Sequence, residues 1–112
     1  MFKRSLRLSS SNRLTNASII HTPFFILKLA KNTLEHNTYG FIVSKRIDKR
    51  AVVRNRLKRR FRAIVEELHP ALQTGYDMLF VMKALAREQK PEVFRTSLYE
   101  IFQKAGVIKV PN

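Results

Sequence analysis

Three apolar runs along the chain have the length and composition of β-strands. Residues 24–30 (FFILKLA) and 39–44 are separated by a polar stretch, and we interpret them as the two strands of one hairpin-like pair. Residues 77–83 contain the continuous apolar run MLFVM, which is typical of a strand covered on both faces. We therefore predict that the third run is the central strand of a sheet.

Two further segments have the period of an amphipathic α-helix. In residues 51–68, apolar side chains recur mainly at spacings of three and four, which places them on one face of a helix. These apolar positions are Val53, Leu57, Phe61, Ile64, Val65 and Leu68. The opposite face is polar and mostly cationic. A second helix begins at Pro91 and ends at Gly106, because proline suits the first helical position and glycine suits the position after the last. Its apolar stripe consists of Phe94, Leu98, Ile101, Phe102 and Ala105.

The order strand, strand, helix, strand, helix predicts an α+β protein, a two-layer α-β sandwich with one small sheet. The 51–68 helix would then be the crossover between the second and third strands. A chain of 112 residues with 45% hydrophobic residues can bury one modest core. We assign residues 21–112 to a single domain and residues 1–20 to a basic, disordered N-terminal arm. An organelle transit peptide is the alternative for this Arg- and Ser-rich, acid-free segment.

Positive charge is concentrated in residues 45–62, KRIDKRAVVRNRLKRRFR, which contain ten Lys or Arg and a single acid, Asp48. The whole chain carries 22 basic and 8 acidic residues, a formal net charge of +14. Like charges four residues apart destabilise a free helix, and bound phosphates would reverse that effect. The basic helix therefore predicts a nucleic-acid partner. A membrane surface is the weaker alternative, because no stretch approaches the roughly 20 apolar residues of a spanning helix.

The chain shows no set of residues with catalytic or metal-binding spacing. It has no cysteine, which excludes disulfides, thiolate metal sites and a cysteine nucleophile and is compatible with the cytoplasm, where we expect the protein. Its acids are scattered. Glu66, Glu67 and His69 form one cluster, but adjacent helical residues point about 100° apart, so we interpret the cluster as a solvated helix end. We predict no catalytic residue and no metal ligand on this chain.

The sequence VVRNRLKRRFR resembles the protein subunit of bacterial ribonuclease P, as do GFIVSKRI before it and GYDMLFVMKA after it. The resemblance covers about residues 24–108, and its most specific part is Arg54-Asn55-Arg56 on a helix between two strands. It implies an α-β sandwich whose crossover is left-handed, against the usual right-handed rule. It also implies an accessory subunit of an endoribonuclease in which a separate RNA, with Mg²⁺, removes the 5′ leader of precursor tRNA. The protein would be monomeric in the holoenzyme and bind no cofactor of its own.

The resemblance also assigns residues to two RNA-binding regions. Contacts with the catalytic RNA are expected from Lys45, Arg46, Arg54, Asn55, Arg56, Lys58, Arg59 and Arg62. A cleft for the single-stranded leader is expected along the exposed face of the 24–30 strand. Its candidate residues are Phe24, Lys28, Tyr39 and Phe41, although each aromatic is equally well explained as a core residue. Strand alternation places Phe24 on the same face as Lys28.

One departure from the family pattern and two alternative functions stay open. Residues 7–22 contain no Phe or Tyr, so the family's first helix, which normally carries an aromatic residue, is shortened or absent here. A ribosomal or RNA-chaperone-like module would use the same basic helix without a role in cleavage. A DNA architectural protein would bind duplex DNA at least as tightly as RNA.

Overall fold

The computed structural model describes residues 17–109, in which four strands form one sheet and two α-helices pack together. In chain order the elements are β1 (Ser18–His21), β2 (Phe25–Lys31), β3 (Thr38–Ile42), α1 (Ala51–Leu68), β4 (Tyr76–Met82) and α2 (Pro91–Ala105). Short 3-10 helices, His69–Ala71 and Ala84–Glu88, follow α1 and β4. The α+β class and the extents of both helices are as the sequence predicts.

The strand order is β1-β2-β4-β3, with β4 antiparallel to β2 and parallel to β3. The central position of β4 and the crossover through α1 are therefore confirmed. The predicted hairpin between residues 24–30 and 39–44 is wrong, because β4 lies between β2 and β3. The connection between those two strands crosses the start of β4. There Asn32 Nδ2 donates to Asp77 Oδ1 (2.9 Å), and Asn37 Oδ1 accepts from the Tyr76 N–H (2.8 Å).

Strand β1 is an element that the sequence analysis missed. Its residues Ser18–His21 pair antiparallel with β2, Ser18 opposite Leu29 and His21 opposite Ile26. The predicted arm therefore ends too late, since its last residues belong to the sheet. Residues 1–16 of that arm, with the transit-peptide alternative and most of the segment expected to hold a shortened first helix, lie outside the described residues.

The core fills the layer between the sheet and the two helices. Helix α1 buries Leu57, Phe61, Ile64 and Val65, and α2 buries Phe94, Leu98, Ile101 and Phe102. Alternate residues of β2 and β4 meet them from the sheet: Phe25, Leu27, Leu29, Met78, Phe80 and Met82. Both predicted helical stripes are confirmed at these positions, so the polar side of α1 necessarily faces outward.

The face of the sheet opposite the helices is less buried than the sequence predicts. Leu79 and Val81 alternate with the buried residues of β4 and are only half-buried. Both described helices pack on the opposite face, as the contacts of Phe61 with Phe25 (5.2 Å between ring centroids) and of Phe102 with Phe80 (6.4 Å) show. Within residues 17–109 the helices cover one face of β4, so the expectation of a strand covered on both faces is not met there. Its continuous apolar run combines one buried face with one half-exposed apolar face.

Candidate nucleic-acid interface

The outward side of α1 carries a set of polar and cationic side chains that we call the basic face. It consists of Asn55, Arg56, Lys58, Arg59 and Arg62. Asn55, Arg56 and Arg59 are exposed, while Lys58 and Arg62 are half-buried along the flanks. Within residues 17–109, none of these four cations pairs with a carboxylate. The face therefore keeps its positive charge available for an external anion.

A shallow groove runs along this surface, with Val52 at the edge nearest the start of α1. Asn55, Lys58, Arg59 and Arg62 line the rest of it. A groove with cations on its walls raises the local concentration of an anionic ligand more than a flat surface does. The exposed amide of Asn55 adds a donor and an acceptor that can contact a base or a sugar.

Arg62 is oriented by an aromatic ring of the neighbouring strand. Its guanidinium carbon lies 5.6 Å from the centroid of the Phe41 ring, within the range of a cation–π interaction. Phe41 in turn stacks on Phe80, with centroids 5.5 Å apart and an angle of 11° between the planes. Phe41 thus links a residue of the basic face to the core.

The three residues of the Arg-Asn-Arg tripeptide have different environments. Arg54 is half-buried, and its Nη1 donates to the carbonyl oxygens of Asp48 (3.0 Å) and Lys49 (2.8 Å). Asn55 and Arg56 are exposed on the basic face. The first arginine therefore stabilises the backbone that precedes the helix, whereas the other two residues point toward solvent.

The connection between β3 and α1 holds the two remaining candidates, Lys45 and Arg46, both exposed. Asp48 in the same connection is buried, and its Oδ1 accepts from the backbone N–H (2.8 Å) and the Nε (3.0 Å) of Arg50. Its Oδ2 accepts from Arg50 Nη2 (2.9 Å). These hydrogen bonds hold the pKa of Asp48 well below its usual range, so the carboxylate stays ionised.

The four leader-cleft candidates do not lie on one surface. Lys28 lies on the face of the sheet opposite the helices, where it is half-buried and pairs with Leu79. Phe24 contacts Phe94 of α2 (6.3 Å between centroids), and Phe41 contacts the core. The predicted alternation fails at Phe24 because the chain turns before β2 begins. The Thr22 hydroxyl accepts hydrogen bonds from the N–H groups of Phe24 (3.1 Å) and Phe25 (2.9 Å) in that turn.

Tyr39, the fourth candidate, is a core residue with 2% of its surface exposed. Asn37, which is fully buried, donates through Nδ2 to the Tyr39 hydroxyl (3.1 Å) and to the carbonyl of Gln73 (2.8 Å). The Tyr39 hydroxyl lies 2.7 Å from His69 Nδ1 and donates to it when the neutral imidazole carries its proton on Nε2. Burial raises the pKa of Tyr39 to about 12, and the Asn37 hydrogen bond opposes part of that rise. Tyr39 is thus unable to stack on a base.

The open sheet face consists mainly of residues that the sequence analysis did not select. They are Ile26, Lys28, Ile42, Leu79 and Val81, which lie side by side in the pairing of β2, β4 and β3. Ile42 is 43% exposed, and the others are half-buried. Two-residue alternation along β4 could have identified Leu79 and Val81, but only once the helices were known to cover a single face.

The cluster at the end of α1 has structural contacts of its own. Glu67 accepts from Arg95 Nε (2.6 Å) and Nη2 (3.2 Å), which lowers the pKa of Glu67. Burial lowers the pKa of His69, with a smaller contribution from Lys109 and an opposing one from Glu66. Within residues 17–109, no group of three or more His, Cys, Asp or Glu is placed to hold a metal ion. No helix in that range is long and apolar enough to cross a membrane.

The fold and the basic face define a small, basic α-β protein with a cationic crossover helix. The family model for ribonuclease P matches residues 2–106. The ribonuclease P protein component of Synechocystis sp. is 31% identical over 88 residues, which is 79% of this chain and 71% of that protein. The one from Cyanothece sp. is 38% identical over 79 residues, or 70% of this chain and 60% of that protein. This chain belongs to the ribonuclease P protein family.

Solved structures support the fold. The Staphylococcus aureus RNase P protein superposes with a TM-score of 0.73 at 21% identity, over 83% of this chain and 84% of that one. The Thermotoga maritima RNase P protein gives a TM-score of 0.72 at 18% identity, over 80% and 84% of the two chains. The family resemblance and the fold class predicted from the sequence are therefore confirmed.

Proposed function

We propose that this protein binds the catalytic RNA of ribonuclease P through its basic face and the 5′ leader of precursor tRNA along its open sheet face. In this role it assists the endonucleolytic removal of the leader, which gives the mature 5′ end of tRNA. Membership of the family supports the general role. The assignment of each surface to an RNA rests on the physical properties described above.

The observation that carries the proposal is the two-sidedness of α1. Its apolar stripe is locked into the core, so the basic face cannot turn inward. Because carboxylates within residues 17–109 do not neutralise its cations, the free protein carries unrelieved repulsion along this helix. Phosphates relieve that repulsion, and Arg and Lys then contribute charge-assisted hydrogen bonds of about 1.5–3 kcal/mol each.

The open sheet face suits a single strand better than a duplex. Lys28 lies among Ile26, Leu79 and Val81, so one cation is surrounded by a flat apolar surface. Such a surface allows the strand to place its backbone near the ammonium group and to bury its bases against the aliphatic side chains. Contacts of this kind carry little sequence preference, as a leader of variable sequence requires.

We assign the hydrolysis itself to the RNA subunit with Mg²⁺, and none of it to this chain. The carboxylates of Asp48 and Asp77, one buried and one half-buried, are used in structural hydrogen bonds. Asp48 bonds Arg50, and Asp77 accepts from Asn32 (2.9 Å) and from the Thr38 hydroxyl (2.6 Å). A two-metal nuclease site instead needs several carboxylates that converge on one point.

Reconstitution tests the general proposal. The ribonuclease P RNA encoded in the same genome should cleave precursor tRNA at low Mg²⁺ only when this protein is added. No stimulation at any salt concentration would contradict the proposal. Sequencing of copurified RNA provides a second check, because ribosomal RNA in place of one dominant ribonuclease P RNA would favour the ribosomal or chaperone-like module.

Matched variants test the two surfaces separately. Arg56→Ala with Arg59→Ala should weaken binding of the catalytic RNA by a few kcal/mol in total, whereas Lys104→Ala, which removes an exposed cation of α2, should change it little. Lys28→Ala should weaken binding of precursor tRNA with a leader but not of mature tRNA. Equal effects of Lys28→Ala on both substrates would contradict the assignment of the open sheet face.

A further inference from the structure

The single acid of the basic segment is engaged with one arginine that the family resemblance does not assign. Asp48 is 8% exposed, although it lies between cationic residues on both sides. Its two carboxylate oxygens grip the guanidinium of Arg50 as a fork, through Nε (3.0 Å) and Nη2 (2.9 Å). The Arg50 side chain is nevertheless 74% exposed. The pair therefore has a fixed inner end and a solvent-facing outer end.

The fork leaves most of the guanidinium free to donate elsewhere. An arginine side chain has five N–H donors, and the Asp48 carboxylate occupies two of them. The planar geometry fixes the direction of the remaining three, which include both on Nη1. A donor group whose orientation is set before binding loses less conformational entropy when it meets a phosphate.

The Asp48 carboxylate is itself held from several directions. Arg87, in the 3-10 helix after β4, donates through Nη1 to the carbonyl of Ile47 (3.1 Å) and lies 3.7 Å from Asp48 Oδ2. Arg54 donates to the carbonyls of Asp48 and Lys49. Two elements of the fold thus hold the backbone around Asp48, and the charge of Arg87 favours the inward position of the carboxylate.

We propose that Arg50 contacts a phosphate of the bound RNA and that Asp48 is the positioning residue that orients its guanidinium for this contact. The inference rests on the proposed RNA-binding function and extends the basic face by one residue across the start of α1. It gives a role to the single acid in the most cationic stretch of the chain. There its charge acts on a neighbouring arginine and is shielded from the RNA.

The direction in which one substitution changes the RNA affinity distinguishes a positioning role of Asp48 from a simple effect of its charge. Asp48→Asn raises the net charge by one unit, so charge alone predicts tighter RNA binding and a steeper dependence on salt. Positioning predicts the reverse. Affinity should fall by about tenfold, the equivalent of one lost charge-assisted hydrogen bond. The slope of log K against log salt should become shallower by about 0.7–0.9, the contribution of one phosphate.

The experiment measures binding of the full chain to a transcript of the ribonuclease P RNA from the same genome, between about 50 and 400 mM salt. Arg50→Gln should weaken binding about tenfold. Lys49→Gln removes an adjacent exposed cation that forms no fork, so it should weaken binding by clearly less. Asp48→Asn should weaken binding in the native background yet leave binding unchanged or tighter when Arg50 is already Gln. A loss of foldedness alone lowers the active fraction and leaves the salt slope unchanged.

Three results would overturn the inference. These are tighter binding by Asp48→Asn, equal losses for Arg50→Gln and Lys49→Gln, or an equal loss from Asp48→Asn in both backgrounds. If Asp48→Asn does not fold, Arg50→Lys decides the matter, because it keeps the charge and removes the fork. Native affinity of Arg50→Lys would also refute the proposal. If the unmodified protein does not bind the transcript, the proposed function itself fails, which is a separate outcome.

Discussion

Replacing Phe61 by alanine tests the two-sided structure of α1 most directly. Phe61 is fully buried, and its ring meets four other phenylalanine rings. The centroid distances are 5.2 Å to Phe25, 6.0 Å to Phe41, 5.2 Å to Phe80 and 5.4 Å to Phe94. All four pairs have the edge-to-face geometry that adds to the free energy of burial.

The expected loss of stability is at the upper end of the usual range. Truncation of a buried Phe to Ala costs about 3–5 kcal/mol, and the lost ring pairs place this site near 4–5 kcal/mol. A domain of this size has a total unfolding free energy of about 5–15 kcal/mol. Phe61→Ala therefore removes a large fraction of it. Phe61→Leu leaves a smaller cavity, so it should cost about 1–2 kcal/mol.

Urea unfolding followed by circular dichroism, without RNA, measures both variants. With an m value of about 1.5 kcal/mol/M, Phe61→Ala should lower the midpoint by about 3 M. The matched control is Arg59→Ala on the basic face, which should keep stability within about 0.5 kcal/mol and weaken RNA binding instead. If Phe61→Ala lost RNA affinity at unchanged stability, the assignment of the two faces of α1 would be wrong.

Three further predictions address the end of α2, the His69 contact and the electrostatics of binding. Gly106 has φ 73°, and a Cβ added there would meet no atom within 4 Å, so Gly106→Ala should cost only the left-handed backbone strain, about 1–2 kcal/mol, measured by thermal unfolding. Because the pKa of His69 is lowered in the folded protein, stability should be full above about pH 6.5 and fall as the pH drops below it, since the unfolded chain takes up the proton more readily. His69→Gln should flatten that dependence between about pH 7.5 and 5.5, and an unchanged slope would contradict it. For the unmodified protein, log K for RNA should fall with log salt at a slope of about −4 to −7, as roughly five to eight neutralised phosphates require, and a nearly flat titration would exclude a phosphate-based interface.

The helices could be predicted from the sequence because a 3.6-residue period reports a buried stripe directly. Leu57 and Phe61 on α1, and Phe94 and Leu98 on α2, lie where that period places them. The basic face followed at once, since it is the remainder of the same helix. The positive charge of the basic face could be predicted without knowing how the strands pair.

Strand partners could not be predicted in the same way. Alternation identifies a strand but contains no information on which strand lies beside it, so it does not show that β2 and β3 each pair with β4 and not with each other. The set of residues on the open sheet face could be identified only once that pairing was known. The turn at Thr22 likewise reverses the direction of Phe24 through hydrogen bonds to a hydroxyl group, which an apolar pattern does not register. Strand β1 is only four residues long, too short for a clear period.

The crossover position of α1 links recognition to folding. The strands that flank this helix in the chain, β3 and β4, are adjacent and parallel, so the helix spans a non-local strand pairing. Alone, a peptide of residues 51–68 would be a poor helix because its cations repel one another and its apolar stripe has nothing to cover it. The proposed RNA ligand should therefore raise the melting temperature of the protein, and once its concentration exceeds Kd the stabilisation should grow with the logarithm of that concentration.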